Sequence, residues 1–365
     1  MPVAEKNYEM FSDADLIYNY CPAPVCTDEE TMYVFYCANT QPGLVIDDIY
    51  ARKGKLKEGL WEFGEKFRVL EPSRLGWDCI HVCDPDVIKG DFHYKGETYS
   101  WVMVFLGCDI HYSYHNQIGI AFAKQIEGPY IKYDANPIVA YEEVFHWGAG
   151  QPCILSLDGK GKFRMLYTKS IHEYERRMHI TKTFWRDLDF SNADNPIIGE
   201  EVLMHEGGVW NATLNDQADE QISSDINQQT NSEGYNPDPN VSIFNPSILW
   251  DRQTDCYYLT REGTPFDKDR VPGFISSYVQ LIVIPREKFE RNEGGWQVLY
   301  NYSEKDTGFP RNHNAGLIKN EYGWRMPGTA LSTAVTVSKL HPTHFLWTYR
   351  IYHTELSSVR KEGDS

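Results

Sequence analysis

Asp84-Pro85-Asp86-Val87-Ile88 is one of five related phrases in this 365-residue chain. Its relatives are Cys21-Pro22-Ala23-Pro24-Val25, Gln151-Pro152-Cys153-Ile154-Leu155, Asn245-Pro246-Ser247-Ile248-Leu249 and a degenerate copy, Asn314-Ala315-Gly316-Leu317-Ile318. Each opens a strand-like run. From Pro22 through Pro85, Pro152 and Pro246 to Ala315 the steps are 63, 67, 94 and 69 residues. The long step holds a polar stretch, 214–239, that reads as an insertion; without its 26 residues the step is 68. A fixed interval of this size means one supersecondary unit used five times.

Within a unit the pattern is β. In the second, strand-like segments at 86–89, 100–106, 117–123 and 130–133 alternate with Gly-rich or charged turns. The third repeats this at 154–157, 163–167 and 178–183, its first turn being Asp158-Gly159-Lys160-Gly161. Asp134-Ala135-Asn136-Pro137-Ile138 and Asp194-Asn195-Pro196-Ile197 form a second internal repeat. The fourth unit offers 247–250, 256–260, 278–284 and 296–300; the fifth offers 317–319, 330–338, 345–349 and 352–356. Four strands in each of five units predict an all-β fold, a five-bladed β-propeller of four-stranded antiparallel blades, whose radial closure leaves few exposed edges. The whole chain, 1–365, forms one domain on this reading. Its blades run over about 17–70, 78–140, 146–204, 241–301 and 308–357, with 214–239 as a long loop or lid.

Composition narrows the partners. Aromatic residues make up 14% of the chain, which suits strands and stacking surfaces. The formal net charge of −17 argues against nucleic acid and anionic membranes, whose binding depends on Lys and Arg. The first fifteen residues hold no apolar core of signal-peptide length, and no run is long enough to span a bilayer. The eight cysteines lie mostly in apolar strands without CxxC pairs or zinc-type spacing. They read as buried free thiols in a reducing, cytoplasmic compartment. Motifs for phosphate loops, dinucleotides, HExxH zinc and GxSxG nucleophiles are absent from the sequence. No cofactor is called for, and a structural ion such as calcium in the channel stays open.

Propeller geometry places two sets of residues at one mouth of the channel. The first set is Cys21, Asp84, Gln151, Asn245 and Asn314, with His313 adjacent. Any one Asp or Asn before Pro reads as a turn starter; five converging on one axis read as a binding ring. The second set follows each second strand: Asp47 and Asp48; Asp109, His111 and His115; Lys169, His172 and Glu173; Arg261 and Glu262. An acid directly after an apolar strand is a candidate for a partly desolvated carboxylate, although most such acids are solvated loop residues. Trp77, Trp147 and Trp210 precede Pro phrases and are candidates to stack on a sugar face, where inter-blade core is the plainer reading.

The run Asp84-Pro85-Asp86-Val87-Ile88, then 99–107, then Asn116-Gln117-Ile118-Gly119-Ile120-Ala121-Phe122-Ala123, resembles the blade pattern of the five-bladed propeller glycoside hydrolases, the superfamily of families 43, 32, 62, 68, 117 and 130. The resemblance implies carboxylates on different blades around a funnel, one protonating the leaving oxygen and another activating water or attacking carbon. Carried onto this chain, it makes Asp84, Glu262 and Asp109 the catalytic candidates, with Asp84 at the strand start, Glu262 as acid and Asp109 tuning. Trp77, Trp147, Gln151, Trp210, Asn245, Arg261, His313 and Asn314 are the substrate-binding candidates, and no residue is assigned to a metal. The chain departs from the family 43 pattern at Cys21-Pro22 and Gln151, so that triad does not transfer, and His313 or His146 is an alternative acid. The expected activity is glycosidic hydrolysis of a small carbohydrate. A non-catalytic carbohydrate-binding propeller and a glycoside phosphorylase using Arg261, Lys169 and His172 are the alternatives.

Overall fold

The computed structural model describes residues 4–13, 15–16, 18–39, 46–111, 115–142, 147–173, 178–205, 245–263, 278–338 and 350–356. The predicted lid at 214–239 and the strand at 345–349 lie outside them. The described strands form five small sheets, the blades of a five-bladed propeller.

Blade one is β2 (Tyr18–Asp28), β3 (Thr31–Asn39), β4 (Asp47–Lys57) and β5 (Leu60–Leu70). Blade two is β6 (His81–Tyr94), β7 (Glu97–Cys108), β8 (Gln117–Ala123) and β9 (Ile131–Lys132). Blade three is β10 (Ala149–Ser156), β11 (Lys162–Glu173) and β12 (Met178–Asp189), with β13 (Ile197–Ile198) and β14 (Val202–Leu203) both paired to β12. Blade four is β15 (Ser247–Asp251), β16 (Cys256–Gly263), β17 (Tyr278–Pro285) and β18 (Gln297–Tyr302). Two short helices, α1 (Arg286–Glu290) and α2 (Glu304–Thr307), flank β18. No described helix is long and apolar enough to cross a membrane.

Blade five corrects the sequence reading. Its inner strand is β19 (Arg311–Leu317), followed by β21 (Ser332–Ser338) and β22 (Arg350–Leu356). The outer strand is β1 (Ala4–Phe11), from the other end of the chain, pairing Tyr8 with His353 and Phe11 with Ile351. The expectation that 352–356 forms a fourth strand fails because those residues are the third. The polar alternation of 4–11 suits an outermost strand and hides the pairing from sequence.

Core residues lie between blades. Five apolar clusters each join one neighbouring pair, for example Val25, Phe35, Val87 and Met103 between blades one and two, and Leu155, Leu166, Ile248 and Leu259 between blades three and four. Strands packed between blades are therefore apolar on both faces, as the sequence of β7, the second strand of blade two, shows. Where blade five meets blade one the approach is closest. A Cβ on Gly316 would stand 2.0 Å from the Pro22 carbonyl oxygen, so only glycine fits this degenerate copy.

A short segment after β19 floors the channel. β20 (Lys319–Asn320) runs parallel to β2, pairing Lys319 with Val25. The next residues accept backbone N–H groups from the other inner strands: Lys89 to Glu321 at 2.6 Å, Ser156 to Tyr322 at 2.8 Å and Trp250 to Gly323 at 3.1 Å. One strap thus ties blades one to four from beneath. Lys319 is 1% exposed and Asp86 3%. The Lys319 ammonium donates to Asp86 Oδ2 at 2.6 Å and to the Ile154 carbonyl at 2.9 Å, reaching across three blades.

Candidate funnel site

The five residues that open the Pro phrases share a backbone state. Cys21, Asp84, Gln151, Asn245 and Asn314 have φ of 52°, 46°, 54°, 48° and 43°. None is glycine, and four precede proline, which disfavours helical backbone. Such left-handed residues cost on the order of 1–3 kcal/mol each. Register shifts at Tyr20/Ala23, Cys83/Asp86, Gly150/Cys153 and His313/Ala315 mark a bulge at four of the five. A bulge re-aims a side chain, and here it brings all five to the axis.

They close a ring of hydrogen bonds. The Cys21 thiol donates to Asp84 Oδ1 at 2.6 Å. The Gln151 backbone N–H donates to the Asp84 carboxylate. The Asn245 backbone N–H donates to Gln151 Oε1 at 2.9 Å, and Asn245 Nδ2 donates to Asn314 Oδ1 at 2.6 Å. Asn314 Nδ2 donates to Cys21 Sγ, completing the circuit. The ring residues and those beneath them, down to Lys319, line a small axial cavity of about 40 Å³.

Two carboxylates hang on this ring from separate blades. Burial pushes the Asp84 carboxyl up to about 6, against the pull of its Cys21 hydrogen bond and of charge on His81. Glu262, near the end of β16, is 7% exposed. Its Oε1 accepts from Asn245 Nδ2 and, at 2.8 Å, from the Asn314 backbone N–H. His313 Nδ1 donates to Asn314 Oδ1 at 2.7 Å and lies 3.9 Å from Glu262 Oε1. Burial, reinforced by the Arg311 charge, drives His313 well below the usual histidine range, so it is neutral at pH 7.

A third carboxylate, Asp47, is fully buried beside Asp84. It accepts from Tyr18 Oη at 2.5 Å and Tyr20 Oη at 2.7 Å, and pairs with His81 Nδ1 at 3.1 Å. Burial opposes charge on His81, yet hydrogen bonds to Asp47 and Cys108 hold it up at about 10. Sequence reading had Asp47 only as one of several post-strand acids, and His81 carried no signal. Cys37 and Cys83, expected as free thiols, are bonded as a disulfide next to Asp84. They lie 46 residues apart on β3 and β6, a spacing no motif marks. The other six cysteines are free.

The remaining candidates scatter. Asp109 is partly exposed and pairs with His115 Nδ1 at 3.0 Å, while His115 stacks on Tyr141 with centroids 4.2 Å apart. Trp77 packs against Phe105, and Cβ atoms on Gly107 or Gly119 would come within 2.6 Å of its indole. Those two motif glycines therefore seat an indole in the core rather than free it for a ligand. Trp147 packs beside Cys21, Cys37, Cys83 and Leu106, at the site itself. Arg261 is buried and its Nε donates to Gln280 Oε1 at 2.9 Å. Lys169 pairs with Glu142 and Glu201. Trp210, His146 and the side chains of His172 and Glu173 lie outside the described residues.

No protein-family model matches the chain, and no curated protein matches it in sequence. Solved structures match it in fold. A family 117 glycoside hydrolase of the marine bacterium Zobellia galactanivorans superposes with a TM-score of 0.58, over 97% of this chain and 90% of that one, at 8% identity. The α-L-arabinofuranosidase of Podospora anserina, solved with cellotriose, gives 0.54 over 96% and 95%, at 8% identity. A GH43_1 enzyme from Xanthomonas citri, solved with xylotriose, gives 0.56 over 98% and 92%, at 11% identity. The chain thus has the five-bladed propeller fold of glycoside hydrolase families 117, 62 and 43.

Proposed function

We propose that the protein is a glycoside hydrolase acting on a short oligosaccharide or glycoside at the ring that heads the channel. The observation that carries this reading is the pair of buried carboxylates, Asp84 and Glu262, fastened from separate blades to one hydrogen-bonded ring. Glycosidic cleavage needs one carboxyl to protonate the leaving oxygen and a second to activate water or attack the anomeric carbon. Burial favours the neutral acid at Asp84, so Asp84 serves as proton donor, and Glu262 as the second carboxylate. This exchanges the roles expected from sequence. The Asp47–His81 pair takes over from Asp109 as the charge that tunes Asp84. The three structural neighbours above, a family 117 glycoside hydrolase, an α-L-arabinofuranosidase and a GH43_1 enzyme, support the substrate class.

The test is hydrolysis of a panel of aryl glycosides and plant or algal oligosaccharides by the wild-type protein, Asp84→Asn and Glu262→Gln. Each variant is expected to lose activity by about 10²-fold or more; full activity in both sinks the assignment. One observation favours a second reading, a sugar-binding propeller. Four of the five ring positions are cysteine or amide, and they bond to one another. Binding of a panel sugar by calorimetry without any cleavage would select that reading, and cleavage that needs phosphate would select a phosphorylase. We propose a cytoplasmic location on the six free cysteines; the Cys37–Cys83 disulfide is the observation that weighs against it.

A further inference from the structure

Three sulfurs and a carboxylate meet at the head of blade two. Cys21 from β2, Cys37 from β3, and Cys83 and Asp84 from β6 each bring one donor atom, all within 4.8 Å of one another. Three thiolates with one carboxylate are the donor set of a four-coordinate zinc-type ion. With metal–sulfur bonds of about 2.3 Å, tetrahedral ligands stand roughly 3.8 Å apart, inside the observed spread. The residues around the sulfurs point the same way. The Asp84 backbone N–H donates to Cys37 Sγ at 2.9 Å. Asn314 Nδ2 donates to Cys21 Sγ. Tyr20 Oη stands 2.8 Å from Cys83 Sγ. Each sulfur has its own polar neighbour, as thiolate ligands of a metal do; apolar packing of cysteine would need none of them.

Cys37 and Cys83 are joined in this structure, and a disulfide sulfur is not the anionic thiolate that binds a metal. We propose that reduction of the Cys37–Cys83 bond converts this cluster into a binding site for one zinc-class divalent cation, held by Cys21, Cys37, Cys83 and Asp84. A dithiol reductant supplies two electrons and two protons, leaving as its own disulfide while Cys37 and Cys83 become thiols. Binding the cation then releases three thiol protons to solvent, together with the Asp84 proton where that group is neutral. One consequence rests on the hydrolase reading above: the cation takes Asp84 out of the catalytic pair, so the reduced, metal-loaded protein is inactive and the oxidised protein active.

The experiment uses the full chain, reduced with a dithiol under argon, loaded with Co²⁺ alone and freed of excess by gel filtration. The expected result is one cobalt per chain with thiolate-to-cobalt charge-transfer absorption, and no retained cobalt in the oxidised protein. Cys21→Ser should weaken retention more than the roughly tenfold typical of losing an outer-shell partner. Asp84→Asn should weaken it while the sulfur absorption persists. Circular dichroism reports whether each variant is folded. Reduced wild-type protein that retains no cobalt, or cobalt without sulfur absorption, overturns the proposal; so does a folded Cys21→Ser/Cys83→Ser variant that binds as the wild type does. Hydrolysis measured in parallel separates the two readings: cobalt uptake by a protein that cleaves no glycoside upholds the metal site and overturns the hydrolase.

Discussion

Replacing Lys319 with methionine tests how much the channel floor contributes to the fold. The ammonium lies on the axis between Asp86 of blade two and the Ile154 carbonyl of blade three. Methionine keeps most of the stem's volume and removes the charge. Asp86 would keep two backbone donors, Val87 to Oδ1 at 2.9 Å and Ile154 to Oδ2 at 2.7 Å, but no cation. Breaking one partner of a buried pair costs about 3–5 kcal/mol, and the two surviving donors put this case near the lower figure. Against a total stability of roughly 5–15 kcal/mol, that is a large fraction. Urea denaturation of the wild type, Lys319→Met, Asp86→Asn and the double variant gives the cycle. The expected coupling is about 2 kcal/mol or more, because the double variant no longer buries an unpaired charge. A cost below about 1 kcal/mol for Lys319→Met, or a double variant as unstable as the sum of the singles, would refute the reasoning.

Gly316→Ala should unfold blade five or destabilise the protein by at least the roughly 1–3 kcal/mol of an overpacked core, since its Cβ meets the Pro22 backbone at 2.0 Å; a thermal melt within a degree of wild type would contradict the close approach. His81 is held at about 10, above its unfolded value near 6.5. Its contribution is therefore complete below pH 6.5 and lost as pH rises through 10. Denaturation midpoints of the wild type should fall across that window more steeply than those of His81→Gln, and parallel curves would exclude the pair. If Asp84 is the proton donor, kcat/KM should decline as pH rises through about 6; a rate that climbs through that range would reassign the acid.

What the sequence revealed follows from how local each signal is. The Pro phrases carried both the blade count and the identity of the ring, because an αL residue before an apolar strand is a short-range pattern. Asp84, Gln151, Asn245 and Asn314 were legible for that reason, and Glu262 because an acid directly follows an apolar run. Assemblies made across blades were not. Cys21, Cys37 and Cys83 come from three strands, so their meeting leaves no spacing behind. Lys319 read only as the last residue of a strand at 317–319, yet it bonds residues more than 160 positions away. Trp77 stayed open between a sugar-stacking indole and inter-blade core because sequence cannot show that Gly107 and Gly119 make room for it.

The pairing of β1 with β22 sets an order of events during synthesis. β1 leaves the ribosome before the other described strands of the propeller, and its partner, centred on His353, leaves after them. At roughly 5–20 residues per second, the first strand waits tens of seconds as an unpaired edge while four blades form behind it. The circle then closes in one late step that joins β1 to β22. A ribosome-bound chain stalled before residue 350 would hold every inner strand of the ring and still lack the clasp that keeps it round.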